Sequence, residues 1–151
     1  MTTTMTPRAA YDQVRETAES IRNDEATTIP VMSHGDVIVQ GDVYIACLDR
    51  APARKSDYAG RQLAPGSTQG SRHVLEGDAA LFTPDPGDAK EVLNRLIPAT
   101  RAFEPFLGPV IVAHAPVTIT HPEHGDRTLP AGTYQVTYQA AWAEELRRQE
   151  D

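Results

Sequence analysis

Three of the five histidines in this chain fall in two short motifs. One is Gly70-Ser71-Arg72-His73-Val74 and the other is His121-Pro122-Glu123-His124. Imidazole and carboxylate are the side chains that bind first-row metals and move protons near neutral pH. A tetrahedral centre needs three or four such ligands at about 2 Å from the ion. His121 and His124 are three apart, and Pro122 between them favours a turn over a helix. A turn can aim both rings to one side. His73 is the natural third ligand, with Glu76, Asp78 or Glu123 as a fourth. Glu76 or Glu123 could instead act as a base on a bound water. The chemistry on offer is therefore a divalent metal such as zinc, with hydrolysis as one use. The competing reading is plain: His-x-x-His pairs are common in loops without metal, where the rings are solvated or bonded to backbone.

The other reactive side chains point elsewhere. His34 sits in the turn Ser33-His34-Gly35-Asp36, and His114 closes the apolar run Val110-Ile111-Val112-Ala113. Both read as turn or sheet-edge residues. Cys47 is the one cysteine and lies in Val43-Tyr44-Ile45-Ala46-Cys47-Leu48, a strand pattern that buries it as an inert thiol. Ser71 is two residues from His73, but no Gly-x-Ser-x-Gly elbow surrounds it. No phosphate loop occurs. His73 to Ala79 has a superficial likeness to a cupin strand pair, yet it carries one histidine where a cupin site uses two.

The elements that would position these residues are mostly strands. Val37 and Val39, a turn at Gln40-Gly41-Asp42, then Val43 and Ile45 read as a hairpin. His73 to Leu75 and Ala79 to Phe82 read as another around Glu76-Gly77-Asp78. Val110 to Val112, Val117 with Ile119, and Tyr134, Val136, Tyr138 supply three more strands. Residues 50–71 form a long loop with a basic cluster of Arg50, Arg54, Lys55 and Arg61. Three helices are expected. One runs from about Pro7 to Asn23, with a stripe of Ala10, Val14, Ala18 and Ile21. A short middle one spans about Asp88 to Leu96 before Pro98. The last covers Ala140 to Gln149. The expected fold is mainly β (α+β): a small β barrel or rolled antiparallel sheet with an N-terminal, a middle and a C-terminal helix. Residues 1–28 would be a helical arm, and 29–151 one β-rich domain ending in a short helix.

Totals narrow the function classes. The 151 residues are 40 % hydrophobic and 23 % charged, as in an ordinary soluble domain. The net charge of -7 argues against a surface that tracks nucleic-acid phosphates and against adhesion to anionic membranes. No apolar leader or spanning run is visible, so a cytoplasmic or virion-associated location is expected.

The motif order resembles a family of small bacterial and phage-borne proteins that is essentially uncharacterised. The likeness rests on Gln40-Gly41-Asp42-Val43, then Gly70-x-x-His73-Val74, His121-x-Glu123-His124, and Leu129-Pro130-x-Gly132-x-Tyr134-x-Val136-x-x-Gln139. Members of that family carry two central histidines where this chain has Ser71 and His73, so a metal ligand has been exchanged if the family's histidines bind metal. The resemblance implies no known activity. Two readings stand. One is a non-enzymatic accessory or interaction protein with a protein partner or homo-oligomer, preferred because no complete catalytic set is present. The other is a metal-binding β protein with His73, His121 and His124 as ligands.

Overall fold

The computed structural model of the chain describes residues 25–65, 72–93 and 107–138. Ten strands and one helix lie among them. In order they are β1 (Thr27–Thr28), β2 (Val37–Gln40), β3 (Val43–Leu48), β4 (Lys55–Asp57), β5 (Val74–Glu76), β6 (Ala79–Pro84) and α1 (Pro86–Leu93). Then come β7 (Leu107–Ala113), β8 (Val117–Thr120), β9 (Arg127–Leu129) and β10 (Gly132–Tyr138). The strands make two sheets, β2-β3-β10-β7-β6-β4 and β1-β9-β8-β5. Neighbouring strands run antiparallel except β1 and β9, which are parallel.

Alternation decides what each strand buries. Val43, Ile45 and Cys47 of β3 face inward with Tyr134, Val136 and Tyr138 of β10 and with Ile111 and Ala113 of β7. The smaller sheet contributes Leu75, Val117, Ile119 and Leu129 to the same cluster. Burial of each large apolar side chain there contributes about 1.5–3 kcal/mol. The opposite face of the larger sheet is covered too, since Val39, Ala46, Leu48 and Val110 are buried outside that cluster. A strand covered on both faces reads as a continuous apolar run, which is why Val110-Ile111-Val112 shows no alternation.

The expected barrel or rolled sheet is corrected to two open sheets. Alternation reveals inward faces but not hydrogen-bond partners, and closure depends on partners. The supposed hairpin at Glu76-Gly77-Asp78 is instead a corner. β5 belongs to the smaller sheet and β6 to the larger. Gly77 makes the corner possible with φ +123, and a side chain there would press on Val117. The chain crosses back between β7 and β8, and the two corners are tied by His114 N–H donating to Asp78 O at 2.9 Å. The hairpin at Gly41-Asp42 does form, with Gln40 opposite Val43 and Gly41 at φ +60.

The three expected helices reduce to one among the described residues, α1. It starts at Pro86, earlier than Asp88, because Asp85 caps it: its Oδ1 accepts from Asp88 N at 3.1 Å and its carbonyl from Ala89 N at 2.9 Å. The N-terminal helix over Pro7 to Asn23 and the C-terminal one over Ala140 to Gln149 lie outside the described residues. The expected loop at 50–71 is partly ordered into the fold. β4 adds to β6, Gln62 bridges to Val74, and Leu63 and Ala64 are buried in the core. Arg54 of the basic cluster clamps the start of α1 through Asp88 at 3.0 Å and Asp85 at 3.4 Å, which holds the Asp88 carboxyl below its ordinary range. Among the described residues no helix is long and apolar enough to cross a membrane.

Candidate functional site

Four strands carry a polar residue one inward step beyond their apolar stripe, all at one end of the core. Gln40 follows Ile38 on β2, and His121 follows Ile119 of β8. His73 precedes Leu75 of β5, and Arg127 precedes Leu129 on β9. Sheet register brings two of them face to face. Leu75 pairs with Ile119 and Val74 with Thr120. One further step places His73 across from His121, a cross-strand neighbour position. Their ring centroids are 4.4 Å apart, and those of His121 and His124 are 4.7 Å apart. The three sequence-predicted histidines therefore do assemble. His73 is 2 % exposed and His121 is 7 % exposed.

Hydrogen bonds fix the chemistry of two rings. The Gln40 amide nitrogen donates to Ile119 O at 2.9 Å and to Gly125 O at 3.0 Å. Two carbonyls on that side force the amide oxygen to the other, where it lies 2.9 Å from His73 Nδ1. An amide oxygen only accepts, so His73 Nδ1 carries the hydrogen and a neutral ring keeps its lone pair on Nε2. His121 is wired the opposite way. Its Nδ1 accepts from the backbone N–H of Glu123 and of His124, each at 3.0 Å. Its lone pair is thus on Nδ1, and a neutral ring carries its hydrogen on Nε2. Pro122 and these two bonds make the 121–124 turn. His124 is held from the other side by Gly41, where a side chain would come within 2.7 Å of His124 Cδ2 and 2.8 Å of its Nε2.

Arg127 extends the cap. It is 1 % exposed, and a buried cation is costly unless its donors are met. Its Nε donates to Val39 O at 3.2 Å, and one terminal nitrogen donates to Glu25 O at 3.0 Å and to Gly125 O. Gly125 O is thereby shared by Arg127 and Gln40. Glycine is required at 125 because a Cβ would collide with the Glu25 backbone. Gln40, Arg127 and Gly125 were missed in the sequence. Their signal was present: each polar side chain sits at an inward position of a period-2 stripe.

The remaining candidates are placed elsewhere. Glu76 is exposed and alternates away from His73 and Leu75, so it is not brought to the rings. Glu123 is exposed at the turn tip and contributes its backbone N–H, while Asp78 is exposed in the corner. Ser71 lies outside the described residues. His34 is an exposed turn residue whose Nδ1 accepts from Asp49 N at 2.9 Å, and His114 is exposed. Cys47 is buried, and burial first, then Asp36, pushes its thiol up, as expected for an inert thiol. Among the described residues no group of three or more His, Cys, Asp or Glu side chains is placed to hold a metal ion. The rings lie tilted one over the next, His73 to His121 at 45° and His121 to His124 at 37°.

A family model described as "Domain of unknown function (DUF8820)" matches residues 39–139. The match spans Gln40, His73, His121, His124, Gly125 and Arg127, and it leaves β1 outside. No curated protein and no solved structure is detectably similar to the chain.

Proposed function

The chain belongs to the DUF8820 family, and we propose that it is a non-enzymatic accessory or interaction protein of a bacterium or phage, acting through protein-protein contacts in the cytoplasm or on a virion. One observation carries this reading. Among the described residues, the one assembled set of chemically capable side chains is spent on the fold. His73 and His121 are buried, and their Nδ1 atoms are committed to Gln40 and to the 121–124 turn. Catalysis needs a general base that reaches substrate; of the two proposed bases, Glu76 alternates away from the rings and Glu123 is exposed at the turn tip. What such a chain offers a partner is a rigid sheet frame with unclosed edges. The test is mass by light scattering on tag-free protein across a wide concentration range, with metal content measured on the same sample. A homo-oligomer or a stoichiometric co-purifying protein, with sub-stoichiometric metal unchanged by His121→Ala, is the expected result. A strict monomer with no partner overturns the reading.

A second reading is favoured by the ring distances themselves. Gln40 holds His73 as an outer-sphere partner holds a metal-bound histidine, with Nε2 as the lone-pair nitrogen. Under that reading His73 and His124 are the leading ligands, and His121 joins only if its turn reopens. Stoichiometric zinc, lost on His73→Ala, would install it.

A further inference from the structure

We propose that the outer edge of β9, with Arg127 and Gly125, is a seat for an extended segment, and that residues 25–29 of a second copy of this chain can fill it in place of the chain's own. The proposal rests on the interaction-protein reading and names the surface and partner.

The seat recognises backbone. Thr27 N donates to Asp126 O at 2.8 Å and Ile29 N to Thr128 O at 2.9 Å. Arg127 donates to the Glu25 carbonyl at 3.0 Å, and the bare Cα of Gly125 lets that backbone come close. Ile29 adds one side chain against the core. Contacts of this kind are the same whichever copy supplies the segment, so exchange preserves every bond within the seat. The seat also completes the polar cap, because Glu25 O is one of the carbonyls that meets the buried Arg127 charge. A copy lacking a segment there leaves that donor without this acceptor.

Two further observations mark the segment as separable. The family match begins at residue 39, so β1 lies outside the matched region while its seat at 125–128 lies inside. The connector from β1 to β2 runs from Pro30 to Asp36 and crosses between the sheets. Pro30 biases it toward an extended path. Val31 within it is 74 % exposed, the one exposed large hydrophobic among the described residues. Met32 packs against the core and Gly35 N donates to Cys47 O at 2.9 Å, so an exchanged segment parts from its own copy at Pro30-Val31, the stretch that carries this exposed side chain.

Thr28 and Thr128 are register partners in the parallel pair, and they provide the test. Full-length chains carrying Thr28→Cys or Thr128→Cys are mixed at high concentration and treated with a short bismaleimide. The doubly substituted chain serves as the reference for crosslinking within one copy. Buried Cys47 is controlled by the parent chain. A covalent heterodimer at least about tenfold above either single variant alone, with a dimeric mass, is the expected result. A dimeric or larger mass with crosslinks confined within single copies overturns strand exchange and leaves the interaction reading standing. A monomeric mass throughout the concentration range overturns both.

Discussion

Replacing Gln40 by leucine tests the polar cap most directly. The substitution keeps the volume and removes three hydrogen bonds: one from His73 and two to Ile119 O and Gly125 O. The His73 N–H is left in a buried place without its acceptor, which costs roughly 1–3 kcal/mol. Gly125 O keeps Arg127 as a donor, so the carbonyl side adds less. The total is about 2–4 kcal/mol of lost stability. For a chain of this length that corresponds to a fall in Tm of roughly 5–15 °C. Guanidinium unfolding, followed to confirm an unchanged m-value, measures it. Gln40→Glu is the informative companion. A carboxylate in that place faces two carbonyl oxygens, so it costs more at neutral pH and recovers when acid protonates it. A Gln40→Leu protein within about 0.5 kcal/mol of the parent, at the same m-value, would refute the claim that this amide wires the cluster.

Three other outcomes follow from the same structure. Gly41→Ala forces a side chain into left-handed backbone and into the His124 ring; a loss of about 1–2 kcal/mol, with shifted His124 ring resonances in NMR spectra, is expected, and unmoved resonances count against it. Cys47 should react with a thiol reagent at the rate of unfolding, because burial raises its pKa and hides it; fast stoichiometric labelling of the native protein would contradict this. Burial pushes the Tyr134 hydroxyl up to about 12 and raises Tyr138 as well, above the ordinary phenol value of 10.0. Folded-state pKa values above the unfolded ones mean this stability is whole below pH ~10 and is lost as pH rises from there through the folded values. Stability should fall over that window, and the 295 nm tyrosinate signal of these two side chains should emerge only with unfolding. An early, complete tyrosinate signal from a still-folded protein would sink the prediction.

The inward faces of the strands are legible because alternation is a local property. Val43, Ile45, Tyr134, Val136 and Tyr138 announce their inward face by spacing alone. The motifs make a meeting of His73 with His121 and His124 conceivable; the register of β5 on β8 is what brings the rings of His73 and His121 together. Pairing was not legible. Glu76-Gly77-Asp78 has hairpin residues, yet the Val74–Thr120 and Leu75–Ile119 pairings draw β5 into the other sheet. Arg127 and Gln40 sit at inward positions of their stripes, but a charge and an amide read as solvated in a linear sequence; the carbonyls of Val39 and Ile119 are what let them be interior residues. Glu76 failed as a base for the simplest reason, one step of alternation.

The pairing of Thr27 with Arg127 has a consequence for synthesis of the chain. The β2–β3 hairpin can close soon after it leaves the ribosome, whereas residues 25–29 wait for a strand translated a hundred positions later. At ordinary elongation speeds that is roughly 5–20 s. For that interval the amino-terminal segment travels unpaired, and in a polysome the first β9 edge it meets can belong to the chain ahead.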